Sequence, residues 1–207
     1  IPHKIDIIPL LDKTSENVRE MGACNTLYRD GEKICGENTD VIGFTAPLRK
    51  RSLSPETRVL VLGAGGVSRA AIAGLRRLGL ANITLTNRRK ERAEALCNEF
   101  GLLCAPWEER GDVPADLIIN TTPLGMTGAQ EHETPYPRAF QDNGIAYDLI
   151  YTPFQTRFLR DAAAAGWETV SGLDMFIGQG DAQFHLWTGH HLPEEAITAV
   201  TSALYGQ

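Results

Sequence analysis

Between residues 57 and 171, short apolar runs alternate with amphipathic stretches, and this alternation restricts the possible folds more than any other feature of the chain. "RVLVLG", "NITLTN", "ADLIIN", "GIAYDLIY" and the shorter "WETVSG" have the apolar character of strands in a buried parallel sheet. Among them stand "VSRAAIAGLRRLG", "RKERAEALCNEFG" and "PFQTRFLRDAAAAG", which read as helices stopped by Gly79, Gly101 and Gly166. Pro153 is expected in the first turn of the last of these. Strand, helix and strand in repetition give an α/β fold with a doubly wound parallel sheet of Rossmann type.

The flanking residues do not continue the repeat. The sequence is helix-forming from residue 5 onward, with a helix expected around 12–20. "TLYRDGEKI" reads as a hairpin with Asp30-Gly31 at its turn, and residues 41–51 as a connecting helix. Residues 173–188 and 193–205 read as two further helices, the second with Pro193 at its first position and acids in its first turn.

With the turn at Asp30-Gly31, Cys24 would face Glu37 and Cys35 would face Thr26, so these two cysteines are offset. All four cysteines (24, 35, 97 and 104) are therefore read as reduced thiols packed like small apolar residues, which suits a cytoplasmic protein. They form no Cys-x-x-Cys pair and no His cluster accompanies them, so no metal site is expected. The net charge is −6 and there is no long basic run, which argues against a nucleic-acid or anionic-membrane partner. No apolar stretch approaches the roughly twenty residues of a membrane span.

"VLGAGGVSRAA" follows a strand and opens a helix. Gly63 and Gly65 permit a tight turn and a close backbone approach, and the helix N-terminus offers unpaired N–H groups to a pyrophosphate. The third small position of this dinucleotide fingerprint is Ser68. An NAD site would place an acid at the end of the next strand for the ribose hydroxyls. Here "TNRRKER" puts Thr86, Asn87 and Arg88 there, followed by Arg89, Lys90 and Arg92. Cations are disfavoured at a helix N-terminus, so this cluster asks for an anion, and the 2′-phosphate of NADP supplies one. "INTTPLGM" leaves its strand on the same side, so Asn120, Thr121 and Thr122 are expected to point into the cofactor crevice.

Hydride transfer at a hydroxyl-bearing carbon requires a base, or a cation beside the developing alkoxide. The flanks offer Lys4 of "IPHK" and Asp40 of "GENTDVIGF". "IPHK", "GACNTL", "NTDVIGF", "GAGGVSRA", "NRRKERA", "INTTPLGM", "YDLIYTPFQT" and "GLDMFIGQGDAQFHLWTG" stand in the order found in shikimate dehydrogenases, and the resemblance covers nearly the whole chain. It implies an NADP-dependent oxidoreductase that reduces 3-dehydroshikimate to shikimate, a small-molecule reaction of chorismate and aromatic amino acid biosynthesis. It also implies a division into residues 1–56, part of a substrate domain with its connecting helix; 57–171, the NADP domain; and 172–207, helices that return to the substrate domain. Carried across by motif, Lys4 and Asp40 form the catalytic pair, while Asn25, Tyr151 and Gln179 meet the substrate. Gly63, Ala64, Gly65, Gly66, Val67, Asn87, Arg88, Arg92, Thr121 and Met175 hold NADP.

The sequence departs from the family pattern in two places. Cys24 stands where Val is commoner. The family also carries roughly sixty further residues before "IPHK", about half of a small domain. These include serines that hold the substrate carboxylate, so the substrate domain is expected to be incomplete and the chain a fragment. Two alternatives stay open: a quinate/shikimate dehydrogenase, and a dinucleotide-binding fragment without turnover. The sequence does not specify an oligomeric state.

Overall fold

The computed structural model describes residues 3–206, so Ile1 and Pro2 of "IPHK" lie outside the described residues. Six strands form one all-parallel sheet: β4 (Val59–Leu62), β5 (Ile83–Thr86), β6 (Leu103–Cys104), β7 (Leu117–Asn120), β8 (Ile145–Asp148) and β9 (Glu168–Val170). Their spatial order is β6-β5-β4-β7-β8-β9, so the winding reverses between β4 and β7. Ligand crevices open at such a reversal, beyond the carboxyl ends of the strands.

The strands alternate between two cores. Val59 and Val61 of β4 pack with Ile72 and Leu75 of α3 (Gly66–Arg77) and Leu96 of α4 (Lys90–Phe100). Leu60 and Leu62 face the other way, towards Phe158 and Leu159 of α5 (Arg157–Ala164). The expected doubly wound sheet is thus present, with one addition: the sequence reading passed over β6, a two-residue exposed strand within the short run Leu102–Ala105. Pro153 also lies outside α5, which is capped by Thr156, its hydroxyl accepting from Leu159 N at 3.3 Å. Pro193 likewise precedes its helix as N-cap rather than occupying the first position.

A second, three-stranded sheet has the order β1-β3-β2, from β1 (Lys13–Thr14), β2 (Thr26–Asp30) and β3 (Lys33–Glu37). The hairpin register differs from expectation. Asp30 pairs with Lys33 and Thr26 with Glu37, so the turn is Gly31-Glu32 and Cys35 faces Tyr28. Gly31 has φ 63° and takes the first central position, as glycine does in a II′ turn, rather than the second. The expected helix around 12–20 is only α1 (Glu16–Met21), capped by Ser15, because Lys13 and Thr14 pair with β3 instead. The stretch from residue 5 forms turns and a short 3-10 helix, Ile8–Leu10. All four cysteines are free.

Helix α2 (Asp40–Leu48) joins the two sheets and is held on both sides by contacts that need glycine. A Cβ on Gly43 would meet Met175 O at 2.6 Å and Gln179 N at 2.7 Å, both in α6 (Gly172–Thr188). A Cβ on Gly74 of α3 would meet Phe44 Cδ1 at 2.6 Å. Phe44 also stacks on Tyr147 of β8, with ring centroids 5.2 Å apart. The last helix, α7 (Glu194–Tyr205), follows α6. Among the described residues no helix is long and apolar enough to cross a membrane.

Candidate active site

The reversal between β4 and β7 opens into a cleft of about 820 Å³ and, beside it, a chamber of about 200 Å³. Thr121, Thr122 and Pro123 line both.

The smaller chamber is built on the glycine turn. Gly63 has φ 113°, and a Cβ there would lie 2.5 Å from Thr121 Oγ1, so both conformation and space demand glycine. A Cβ on Gly65 or Gly66 would meet nothing within 4 Å, so the first turn of α3 faces open space. A chain of hydrogen bonds fixes this turn. Gly65 N donates to Ser68 Oγ at 3.0 Å. Thr121 Oγ1 donates to Leu62 O at 2.8 Å, which leaves Ser68 Oγ to donate to Thr121 Oγ1 at 2.7 Å. Ser68, read from sequence only as a small residue, therefore ties the glycine turn to the exit of β7.

Asn87, Arg88, Arg89 and Arg92 line the far end of this chamber. The basic side chains are exposed, and among the described residues no ion pair involves these three arginines, whereas Lys90 is engaged by Glu94 at 3.5 Å. An uncapped helix start at one end and unpaired guanidinium groups at the other fit a dinucleotide carrying an extra phosphate. Ala64 and Trp107 complete the walls. Thr86 Oγ1 at the end of β5 is buried without a hydrogen-bond partner.

The larger cleft holds the ammonium–carboxylate pair. Lys4 Nζ donates to Asp40 Oδ2 at 3.2 Å, and both residues line the cleft. The segment bearing Lys4 is fixed through its carbonyl, which accepts from Cys24 N at 2.7 Å. Asp40 opens α2, where the helix dipole favours a carboxylate. Its Oδ1 accepts from Asn25 Nδ2 at 2.9 Å. Asn25 Oδ1 in turn accepts from Thr39 N at 3.0 Å and Thr26 Oγ1 at 2.8 Å. Asn25 is half-buried beside the pair, and its amide ties the carboxylate to the Thr39 backbone.

Gly66 and Val67, Tyr151, Met175 and Gln179 line the same cleft as Lys4 and Asp40. Gly172 makes this possible, because a Cβ there would lie 2.5 Å from Ile150 O, and its absence lets α6 start against the exit of β8. Tyr151 stacks on Phe176, ring centroids 5.1 Å apart. Phe176, Asn38 and Met126 also line the cleft and escaped the sequence reading. Phe176 could have been found, since it lies three residues from Gln179 on one helix. Asn120 corrects an expectation: it is wholly buried and points not into the crevice but behind it, towards Asp148. Among the described residues no cluster of three or more His, Cys, Asp or Glu side chains could hold a metal ion.

A doubly wound sheet with an open glycine turn, facing a second α/β unit across a shared cleft, defines a two-part protein of the Rossmann class. Comparison with known proteins makes the assignment specific. The family model "Shikimate / quinate 5-dehydrogenase" matches residues 48–109, and "Shikimate 5'-dehydrogenase C-terminal domain" matches residues 172–200. A shikimate dehydrogenase (NADP(+)) of Pelobacter propionicus is 55% identical over 99% of this chain and 75% of its own. The crystal structure of shikimate 5-dehydrogenase from Thermus thermophilus with NADP(H) and shikimate aligns at TM-score 0.84 and 36% identity, covering 99% of this chain and 77% of that one. The ligand-free 5-ketofructose reductase of Gluconobacter sp. strain CHM43 aligns at TM-score 0.89 and 32% identity, over 99% and 77% of the two chains. The chain belongs to the shikimate dehydrogenase family.

Proposed function

We propose that this chain catalyses the reversible NADP-dependent reduction of 3-dehydroshikimate to shikimate, with Lys4 and Asp40 managing the proton of the reacting hydroxyl. The observation that carries this reading is the Lys4–Asp40 pair opening into the same cleft as Gly66 and Val67 of the glycine turn. NADP, when bound, supplies the hydride acceptor or donor. Gly63 and Gly65 shape the turn, Ala64, Gly66 and Val67 offer it backbone N–H groups, Asn87, Arg88 and Arg92 take its phosphate-bearing ribose, and Thr121 and Met175 wall its reactive end. In the reduction an N–H of Lys4 would give its proton to the substrate oxygen as hydride reaches the carbon, with Asp40 keeping the amine in place, and in the oxidation the amine would take that proton back. Tyr151 and Gln179 orient the substrate from the opposite wall, and Asn25 acts through Asp40.

On this reading residues 57–171 are the NADP domain, while 1–56 and 172–207 belong to the substrate side. Four free thiols support a cytoplasmic location, and burial pushes the Cys97 thiol up to about 12, where it is inert. Quinate is the second candidate substrate, because the matching family model covers both acids. Steady-state assays following NADPH absorbance with each acid test both readings. Turnover of shikimate well above quinate is expected. NADP binding without turnover of either acid would leave only a dinucleotide-binding fragment.

A further inference from the structure

Behind the cleft wall lies a carboxyl group that none of these roles uses. Asp148 ends β8 wholly buried, and burial pushes its carboxyl up to about 7 against the pull of its hydrogen bonds. Oδ1 accepts from Asn120 Nδ2 and from Ile150 N, each at 3.0 Å, and Oδ2 accepts from Thr156 Oγ1 at 2.6 Å. Among the described residues, no charged side chain other than Asp148 takes part in this network.

The network reaches both loops that wall the cleft. Asn120 Oδ1 accepts from Thr122 N at 2.9 Å and Thr122 Oγ1 at 2.7 Å, and Leu124 N donates to Thr122 Oγ1 at 3.2 Å. On the other strand, Ile150 N fixes the segment that leads to Tyr151. Further out, Thr127 N donates to Thr152 O at 3.0 Å. One carboxyl group therefore sets the path of the β7 exit through Asn120 and of the β8 exit directly. Thr121, Thr122, Ile150 and Tyr151 on those exits all line the larger cleft.

We propose that Asp148 is a positioning residue for the dinucleotide: it holds the exits of β7 and β8 in register so that they present one wall to the nicotinamide half. The proposal rests on the NADP reading above. Its main effect falls on the larger cleft: the two chambers share Thr121, Thr122 and Pro123, but Asn87, Arg88 and Arg92, which take the phosphate-bearing ribose, stand at the exit of β5 and on α4, outside this network. Hydrogen-bond geometry also fixes which substitutions matter. An asparagine at 148 keeps one oxygen for Asn120 and Ile150 and turns its amide towards Thr156 Oγ1, which has a lone pair free to accept. An alanine leaves Ile150 N buried without an acceptor and leaves Asn120 Nδ2 with only Leu124 O, at 3.2 Å, so the tie between the two exits is lost.

The test compares two probes on the purified chain by calorimetric or fluorescence titration: NADPH, and adenosine 2′,5′-bisphosphate, which lacks the nicotinamide half. Asp148→Ala should weaken NADPH about tenfold or more while leaving the bisphosphate within about twofold, and Asp148→Asn should recover most of the loss. Asn120→Ala, which cuts the same network from the other strand, should give the same split even if Asp148→Ala does not fold. The double variant should be little worse than the poorer single one. Parallel weakening of both probes, or unchanged NADPH affinity in Asn120→Ala and Asp148→Ala, would overturn the proposal. A wild-type chain that binds neither probe would instead remove the NADP reading, and this inference with it.

Discussion

The two sheets build their halves of the cleft by different means. Every residue of β4 and β7 is buried, and what this sheet offers at its end is mostly backbone: a glycine turn and an uncapped helix start. The three-stranded sheet is thin, with exposed Leu27 and Ile34, and what it offers is side chains held by other side chains, Lys4 and Asn25 on Asp40. A half made of backbone is sensitive to added atoms. A half made of functional groups is sensitive to deleted ones.

The sharpest way to break this contrast is to delete the pair. Asp40→Ala or Lys4→Ala should lower kcat about a hundred- to ten-thousandfold, the range of general acid–base catalysis, with NADP affinity within about twofold in equilibrium titrations. Equal losses in both quantities would mean that the halves are not separable. Next in size, Arg88→Ala tests the one place where the large sheet relies on side chains. Losing a charge-assisted contact of about 1.5–3 kcal/mol should weaken NADP roughly ten- to hundredfold and leave NAD unaffected. Unchanged NADP affinity would remove Arg88 from the site.

Gly43→Ala probes the seam between the halves. Its Cβ would press on Met175 O and Gln179 N, so overpacking should cost about 1–3 kcal/mol in denaturant unfolding. Because Asp40 lies one turn away on the same helix, kcat should fall while NADP affinity holds. The smallest effect has the opposite sign. Thr86→Val removes a buried hydroxyl without a partner and should raise stability by about 1 kcal/mol, with no change in NADP affinity.

The same contrast explains what was legible in the sequence. The large sheet announces itself, because strands buried on both faces must be apolar throughout and their helices must be amphipathic. What was missed there is what those rules do not govern: β6, too short and exposed to carry a pattern, and the Asp148–Asn120 network, whose members read as polar strand ends. In the small sheet, local rules were weaker guides. One glycine fitted two turn positions, and the choice moved the hairpin register. Lys4 and Asp40 were visible as residues, but their meeting depends on a fold that spacing does not reveal. Resemblance to a family pointed to the pair and to Asn25, and geometry adds that Asn25 bonds Asp40 directly.

The glycine contacts that hold α2 also bear on when the site comes into being. The small sheet is complete within residues 13–37, a hairpin plus one strand paired across it, so that sheet can form before α6 leaves the ribosome. The helix carrying Asp40 is seated only when Gly43 meets Met175 and Gln179, residues near the opposite end of the chain. The carboxylate is thus synthesised well before α6 and fixed only with it. A nascent chain that already has its glycine turn and its arginines still lacks a rigid reactive centre, and the chemistry waits for α6.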